Sequence, residues 1–294
     1  MWNSGFIETV VSLPINGAIR DRLRDMSTRY HFNYVKPEEF SEVPKDQWAK
    51  TDVLITDKKL PAPQETPNLK WVQFFQYYNL GEIISYQDIH PATTFTSAEG
   101  ANLHQVVLAC LHGLTAPGKY HKPLYKTTIG IIGYDSIGRE LARILKTFQC
   151  TVLASTFNAM DPTATTFLPQ RIGDHKGEFF DRLYPMQALA SMLPECDFVI
   201  NTLSLSNKSK GKISKKEIQH LKKGTIFVDV SHHGVMIIDD IDELVQNRGI
   251  TILTSDDLEL LLPSSSLFIA TYLDLLYNNM RRFLDNTELL NQIT

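Results

Sequence analysis

The amino-acid sequence predicts a doubly wound α/β protein with two parallel sheets, each covered by helices on both faces. Short apolar runs that carry few charges alternate with amphipathic stretches along the chain. A strand of a parallel sheet is buried on both faces, so it is typically a continuous apolar run. The chain has 294 residues, which at roughly 150 residues per domain is enough for about two such units.

The predicted elements alternate from one end of the chain to the other. Apolar and β-branched runs predict the strands, which are Phe6–Leu13, Asp52–Thr56, Leu69–Phe75, Thr128–Ile132, Thr151–Ala154, Phe198–Asn201, Thr225–Val230 and Ile250–Thr254. Amphipathic stretches predict the helices, which are Asn16–Met26, Ala101–Leu114, Ser136–Phe148, Pro185–Leu193, Lys215–Leu221 and Asp239–Gln246. We interpret Thr115–Tyr125 and Asn158–Asp174 as exposed loops.

The composition indicates a reduced, cytoplasmic protein and argues against several other classes. Lys and Arg number 29 against 33 Asp and Glu, so the net charge is −4 and no general basic field favours nucleic acid. The cysteines, Cys110, Cys150 and Cys196, are too few and too scattered for a disulfide framework or a zinc site. The first residues do not resemble a signal peptide, and no stretch approaches the ~18 apolar residues of a membrane span. We therefore predict no metal, no membrane and no nucleic-acid partner.

The segment of residues 127–148 carries the most informative motif. Its sequence, TTIGIIGYDSIGRELARILKTF, predicts a strand that passes through a tight turn into a helix. A dinucleotide fingerprint of the form G-x-G-x-x-G uses its first glycine for the turn, its second for the approach of the pyrophosphate and its third for helix–strand packing. Gly133 and Gly138 hold the first and third positions, and Asp135 replaces the second. The motif therefore predicts the fold more strongly than the ligand.

Two features weaken the prediction of a dinucleotide site. A carboxylate about 4 Å from a phosphate costs roughly 4 kcal/mol at an effective dielectric constant of ~20. We hypothesise that Asp135 partly occupies the anion site itself; the alternative is an ordinary N-cap that accepts the free amides of the helix near Ser136. The second feature is the end of the next strand, near Ser155 and Thr156, where neither an acid for the ribose hydroxyls nor an arginine is present. Thr156 could supply one hydrogen bond, so NAD and NADP both stay open.

Several segments together resemble the D-2-hydroxyacid dehydrogenase family, in an order and spacing that match it over nearly the whole chain. The glycine segment is similar to the family's nucleotide turn, and KKGTIFVDVS at 222–231 resembles the strand that leads to its catalytic arginine. The segment at 196–205 is similar to its fourth strand, with Ser204 where a proline usually stands, and the segment at 281–291 resembles its closing helix and tail.

The resemblance implies a fold, a cofactor and a reaction. The fold is a pair of Rossmann-like, doubly wound domains of the formate/glycerate dehydrogenase type. Residues 1–98 and 285–294 would form a flavodoxin-like substrate domain, and residues 99–284 a dinucleotide-binding domain. The reaction is NAD(P)-dependent hydride transfer between 2-oxo and D-2-hydroxy acids. Candidate cofactor-binding residues by the same resemblance are Gly133, Asp135, Ser136, Ile137, Gly138, Thr156 and Ser204.

The resemblance also shows where the expected chemistry is altered. The family needs an arginine for the substrate carboxylate, a histidine for proton transfer and a glutamate that orients this histidine. His232 stands at the arginine position and lacks the bidentate fork of a guanidinium. Strict counting places Leu261 at the glutamate position, and the nearest acid is Glu259. No histidine follows His233 in the sequence. These departures predict impaired or lost catalysis, with His232 and Glu259 as the candidate catalytic residues.

The substrate side and the predicted subunit contact complete the sequence-based expectations. Tyr77, Tyr78 and Asn79 correspond to the family's substrate loop, where bulky tyrosines either line a pocket or close it. The helix Ala101–Leu114 has an apolar stripe and is a candidate homodimer surface by the resemblance; the alternative is burial in its own domain. Two functions therefore remain, a divergent oxidoreductase for small 2-oxo or 2-hydroxy acids and a non-catalytic dimeric regulatory or scaffold module.

Overall fold

The protein forms two compact units, each built around one sheet. Residues 1–101 and 266–294 make up the first, called the terminal unit, and residues 102–265 make up the second, called the central unit. The computed structural model describes residues 5–15, 17–57, 59–75, 78–115, 123–164, 166–169, 171–237, 241–258 and 266–293.

Strands and helices alternate through both units, as the apolar runs predict. Within the described residues the strands are β1 (Ile7–Ser12), β2 (Tyr30–Tyr34), β3 (Val53–Thr56), β4 (Trp71–Phe74), β5 (Thr94–Thr96), β6 (Thr128–Ile132), β7 (Thr151–Thr156), β8 (Arg182–Pro185), β9 (Phe198–Asn201), β10 (Ile226–Asp229) and β11 (Thr251–Thr254). The helices are α1 (Gly17–Met26), α2 (Lys45–Trp48), α3 (Leu80–Gln87), α4 (Leu103–Thr115), α5 (Ser136–Thr147), α6 (Leu189–Met192), α7 (Lys215–Ile218), α8 (Asp242–Arg248) and α9 (Ser266–Leu284). No helix in these described ranges is long and apolar enough to cross a membrane.

Both sheets are parallel, and their strand orders confirm the predicted fold class. The terminal unit has the order β2-β1-β3-β4-β5, which is the flavodoxin-like order. The central unit has the order β11-β10-β9-β6-β7-β8, which is the doubly wound order of a dinucleotide-binding domain. In such sheets ligands bind beyond the carboxyl ends of the strands, where the strand order reverses. These points lie between β1 and β3 in the terminal unit and between β6 and β9 in the central unit.

The long helix α9 belongs to the terminal unit, which corrects the predicted domain boundary at residue 284. Its side chains Tyr272, Leu276 and Met280 are buried in one core with Ile7 of β1 and Trp71 of β4. Contacts between distant parts of the chain decide this assignment, and a helical pattern alone does not reveal them. The second part of the terminal unit therefore starts at residue 266. The central unit starts at residue 102 rather than at the predicted residue 99.

The carboxyl end of the terminal unit is tied to β4 and β5 by buried amides. Gln73 is fully buried, and its Oε1 accepts hydrogen bonds from Thr96 Oγ1 at 2.9 Å and from Asn279 Nδ2 at 3.1 Å. Asn279 Oδ1 in turn accepts the backbone N–H of Leu290 at 2.8 Å. An antiparallel bridge joins Thr96 to Gln292. The tail thus completes the edge of the sheet beside β5.

The apolar stripe of α4, the candidate dimer surface, is packed inside its own unit. The core of the central unit contains the stripe residues Leu103, Val106, Val107, Cys110 and Leu114, with Leu111 partly buried against it. This burial is the alternative that the sequence left open for the stripe, so these side chains are not available to a second copy. The homodimer itself stays a prediction.

Candidate functional site

The glycine turn lies at the carboxyl end of β6, at the point where the strand order of the central unit reverses. Gly133 has φ +96°, and a Cβ there would lie 2.9 Å from Thr202 Oγ1 and 3.1 Å from the backbone nitrogen of Leu203. A Cβ on Gly138 would lie 2.1 Å from the carbonyl oxygen of Gly133. The first glycine therefore makes the turn and the last admits close packing of α5, as the motif predicts.

The side chain of Asp135 does not cap α5, so the N-cap alternative considered for this residue is wrong. The residue has an extended backbone, with φ −98° and ψ −159°, and its side chain accepts no hydrogen bond from the first turn of the helix among the described residues. Asp135 is half-buried, and loss of water raises the pKa of its carboxyl group although the Arg139 guanidinium opposes this. A carboxylate thus stands at the helix N-terminus where a diphosphate needs free amides.

The described part of the connection between β7 and β8 packs in part against α5. Within the predicted exposed loop Asn158–Asp174, Asn158 and Asp161 are exposed as expected, whereas Phe167 and Asp174 are buried. Ser136 is fully buried, and its hydroxyl donates to the carbonyl oxygen of Phe167 at 2.8 Å. One turn further, Arg139 donates from Nη1 to the carbonyl oxygen of Asp174 at 2.6 Å. The Ser136 hydroxyl therefore donates its hydrogen bond within the protein. Ile137 is also buried, with 9% of its surface exposed.

Asp174 is the anchor of this connection. Its carboxylate accepts the hydroxyl of Tyr134 at 2.6 Å and the backbone N–H groups of Gly177, Glu178 and Phe179, each at 2.8 Å. Burial alone would raise the pKa of Asp174, but these hydrogen bonds to the charged form outweigh it and hold the pKa below its usual value. The connection is thereby fixed to the middle of the glycine turn.

We expect Asp174→Asn to lower the free energy of unfolding by about 2 kcal/mol at neutral pH, because hydrogen bonds to a buried charge are lost. The depressed pKa means that this stabilisation is complete above the unfolded value of about 3.9 and disappears as the pH falls through the lower folded value. Urea unfolding at several pH values measures the difference. Glu178→Gln, a change at an exposed carboxylate of the same connection, is the control with an expected effect below about 0.5 kcal/mol. A pH-independent difference for Asp174→Asn would contradict this account.

The remaining cofactor candidates lie at the same edge of the sheet on strands that flank β6. Thr156 is the last residue of β7, half-buried, and its Oγ1 accepts the backbone N–H of Asn158 at 3.4 Å. Ser204 follows β9, and its carbonyl oxygen accepts the hydroxyl of Ser209 at 2.6 Å. The structure thus brings Gly133, Thr156 and Ser204 to one edge, although neither flanking strand supplies a charged group for a ribose or its phosphate.

His232 follows β10 at this edge as well. Its backbone N–H donates to the carbonyl oxygen of Leu203 at 3.2 Å, and its side chain is exposed. Sequence reasoning missed the pair beside it, in which Nδ2 of the buried Asn201 donates to Oδ1 of the half-buried Asp229 at 3.0 Å. Burial raises the pKa of Asp229 despite hydrogen bonds from Ser231 and Asn201. Asn201 and Asp229 are the last residues of two predicted strands, and ligands bind beyond the carboxyl ends of such strands, so their positions could have indicated this pair. Glu259 lies outside the described residues.

The substrate candidates belong to the terminal unit and have structural contacts there. Asn79 caps α3, since its Oδ1 accepts the backbone N–H of Gly81 at 2.9 Å and of Glu82 at 3.4 Å. The Tyr78 ring lies 5.8 Å from that of Phe74, and burial followed by the charge of Glu99 raises the pKa of its hydroxyl. Asn79 is therefore a helix cap and Tyr78 packs beside the core. Tyr77 lies outside the described residues.

A family comparison agrees with the strand order and the glycine turn. The model of the D-isomer specific 2-hydroxyacid dehydrogenase NAD-binding domain matches residues 112–261, just over half of the chain. The chain belongs to the D-isomer specific 2-hydroxyacid dehydrogenase family. This confirms the resemblance stated from the sequence, and the matched residues all belong to the central unit.

Curated relatives in this family match a shorter stretch. Formate dehydrogenase 2, mitochondrial, of Oryza sativa subsp. japonica is 31% identical over 109 residues, which are 37% of this chain and 25% of that protein. Glyoxylate reductase/hydroxypyruvate reductase of Mus musculus is 29% identical over 118 residues, 40% of this chain and 32% of that protein. The match thus spans a quarter to a third of the length of these relatives.

Solved structures of the 2-hydroxyacid dehydrogenase family share the fold over the whole chain. A D-isomer specific 2-hydroxyacid dehydrogenase from Xanthobacter autotrophicus Py2, in complex with NADPH and MES, has a TM-score of 0.70 at 14% identity, covering 99% of this chain and 98% of that one. A family protein from Aeromonas salmonicida subsp. salmonicida A449 has a TM-score of 0.66 at 16% identity, covering 98% and 99%. At these identities the likeness shows the fold alone.

The family's dinucleotide fits only part of the site in this chain. The two retained glycines keep the turn and the packing of α5, because a Cβ at either position would meet atoms of the protein itself. Asp135 stands at the N-terminus of α5, where helix amides would hold the anionic diphosphate, and its side chain accepts no capping hydrogen bond. The fold of the NAD-binding domain is kept, and its glycine turn carries a carboxyl group in place of the second glycine.

Proposed function

We propose that this chain is a member of the 2-hydroxyacid dehydrogenase family in which hydride transfer is impaired or lost, and that it acts as a non-catalytic regulatory or scaffold module. The observation that carries the proposal is Asp135. Its carboxylate replaces the second glycine, makes no capping bond and stands at the N-terminus of α5. A negative charge there opposes a diphosphate by up to roughly 4 kcal/mol.

The catalytic positions support the same proposal. His232 offers one hydrogen bond where a guanidinium would offer two parallel donors to a carboxylate. The sequence after His233 contains no histidine that could transfer a proton to a carbonyl oxygen. Loss of a positioned general acid typically costs about 10²- to 10⁴-fold in rate. A chain without this group and without the arginine retains little of the family's chemistry.

A second candidate function is an active NAD(P)H-dependent reductase of small 2-oxo acids. Membership of the family favours it, and so do the retained Gly133 and Gly138. The relatives include glyoxylate/hydroxypyruvate reductases, and one solved neighbour is described in complex with NADP and sulfate. In this case His232 would orient the substrate, and a group that the family does not use would donate the proton.

Titration with NADH and NADPH, by calorimetry and by fluorescence, separates the two functions. The first proposal predicts a dissociation constant weaker than about 1 mM for both, and no oxidation of either with glyoxylate or hydroxypyruvate. Micromolar binding with turnover of a 2-oxo acid would instead establish the reductase. Sedimentation velocity over a range of concentrations tests the homodimer, and a monomer at every concentration would remove the dimeric form of the proposal. The cytoplasmic location stays a prediction.

A further inference from the structure

A dense run of lysines lies in the connection between β9 and α7. Five lysines fall within nine positions, in the sequence KSKGKISKK at residues 208–216, and no acidic residue interrupts them. We call this set the lysine patch, and its members are Lys208, Lys210, Lys212, Lys215 and Lys216. Successive members are at most about 11 Å apart from Cα to Cα, which is roughly one Debye length at moderate salt. The patch therefore concentrates positive charge on a chain whose net charge is −4.

The backbone that carries the first lysines is fixed by a buried serine. Ser209 is fully buried, and its hydroxyl donates to the carbonyl oxygen of Ser204 at 2.6 Å and accepts the backbone N–H of Ser206 at 2.8 Å. The chain neighbours of this serine, Lys208 and Lys210, are both exposed. An inward serine between two outward lysines presents their charges from a fixed position.

Hydrogen bonds to a second segment hold the rest of this connection. The backbone N–H of Gly211 donates to the carbonyl oxygen of Gly234 at 2.8 Å, and that of Ile213 donates to the carbonyl oxygen of Val235 at 3.2 Å. Ile213 is fully buried in the core of the central unit. The lysine patch therefore stands on the framework of this unit and not on a loose loop.

Two members of the patch lie where a cation does not help the fold. Lys215 and Lys216 occupy the first turn of α7, at the positive end of the helix dipole. The helix start is stabilised by a capping box, in which Glu217 accepts the backbone N–H of Ser214 at 3.0 Å and its hydroxyl at 2.8 Å. The acid next to the patch is thus used in the cap. Both lysines are exposed, so their role lies outside the helix.

The lysine patch forms no ion pair within the part of the chain that the structure describes. Six lysines elsewhere do pair with a carboxylate, namely Lys36, Lys45, Lys50, Lys70, Lys146 and Lys222. Like charges that stand side by side repel one another, which opposes folding. A surface that keeps five of them together favours a ligand of the opposite charge.

We propose that the lysine patch binds an acidic segment of a partner protein, one rich in aspartate and glutamate. Carboxylates accept the three donors that each ammonium group offers. Complementary charge also speeds the encounter of two proteins and selects among partners. The patch thus serves as a docking surface for acidic protein segments.

The residue types in the connection favour a protein over a nucleic acid. Residues 206–216 contain no aromatic side chain on which a base could stack and no arginine, whose planar fork suits phosphate. A long nucleic acid would also meet the negative charge of the rest of the chain. A short acidic segment covers the patch alone and avoids that repulsion.

The docking surface gives the proposed scaffold function a class of partner, and in that respect it rests on that function. The two are measured separately, because binding of an acidic peptide needs no dinucleotide. Loss of the patch lysines should leave the result of the NADH titration unchanged. Either proposal can therefore fail while the other stands.

The test measures binding of fluorescently labelled decaglutamate to the whole chain by anisotropy. A variant with Lys208→Gln, Lys210→Gln, Lys215→Gln and Lys216→Gln should bind the peptide about 10-fold more weakly, because each exposed ion pair contributes little and four are lost together. All four lysines are exposed, so the variant keeps its fold. Binding to the unchanged protein should also weaken several-fold between about 50 and about 200 mM salt, since exposed charges are screened.

The matched control removes the same number of charges elsewhere. It carries glutamine in place of four exposed lysines outside the patch, as Lys36→Gln, Lys45→Gln, Lys50→Gln and Lys176→Gln. This protein has the same net charge as the patch variant, and it should bind decaglutamate as tightly as the unchanged protein.

Three results would overturn the proposal. The first is no saturable binding of decaglutamate to the unchanged protein, as expected if Asp239 and Asp240, which lie outside the described residues, already neutralise the patch. The second is an equal loss of affinity in the patch variant and in the control, which would show a response to net charge alone. The third is tighter binding of decauridylate than of decaglutamate, which would make the surface a nucleic-acid site.

Discussion

Asp135→Gly should raise the affinity of the protein for NADH by about two to three orders of magnitude. The substitution restores the second glycine of the turn and removes the carboxylate that stands uncapped at the start of α5. The helix amides that a diphosphate needs then face a ligand without a competing charge. Calorimetric titration of both proteins with NADH measures the gain.

Asp135→Asn separates charge from volume in this experiment, since it keeps the side chain and removes its charge. It should recover most of the gain if repulsion dominates. The raised pKa of Asp135 adds a pH signature, because protonation as the pH falls through that pKa removes the same charge. NAD⁺ affinity of the unchanged protein should therefore increase as the pH falls through the pKa of Asp135, and that of Asp135→Asn should not. Unchanged affinity in Asp135→Gly would refute the role given to this residue.

Gly138→Ala should destabilise the central unit by about 3 kcal/mol or more. A Cβ at this position would lie 2.1 Å from the carbonyl oxygen of Gly133, and backbone cannot yield as a flexible side chain can. Circular dichroism during urea unfolding should show an early transition. Tryptophan fluorescence should not show it, because the three tryptophans, Trp2, Trp48 and Trp71, all fall within residues 1–101, which belong to the terminal unit.

Gly17→Ala is the matched control for this change. Gly17 begins α1, and a Cβ there would meet nothing within 4 Å. We expect this protein to be at least as stable as the unchanged one, since alanine is the better helix former. If Gly138→Ala showed no early transition, or if Gly17→Ala showed one as well, the tight packing at Gly138 would not be the cause of the instability.

Central strands could be predicted from the sequence because both of their faces are buried. Thr128–Ile132 and Phe198–Asn201 are strands with the predicted bounds. The edge strands β2, β5 and β8 were missed. In β2 and β8 only one residue is fully buried, so neither has a continuous apolar run, and β5 has only three residues.

The candidate site was predictable only where a single segment determines it. The glycine turn is such a segment, and Gly133 and Gly138 act as the motif requires. Asp135 has the residue type and the extended backbone of an N-cap, but its side chain accepts no hydrogen bond from the helix amides. The anchoring of Tyr134 by Asp174 joins residues far apart in the chain. Local patterns carry no information about such pairs, which depend on how the connection after β7 folds back.

The two units become complete at different times while the chain is synthesised. The central unit is one continuous stretch between two parts of the terminal unit. During synthesis residues 102–265 can fold as soon as they leave the ribosome, whereas the sheet of the terminal unit lacks α9 until residues 266–284 have been made. Until then the side chains that pack with α9, including Trp71 and Phe75, stay uncovered. In the nascent chain, the part of the terminal unit that precedes the central unit is thus the most exposed to chaperones and to aggregation.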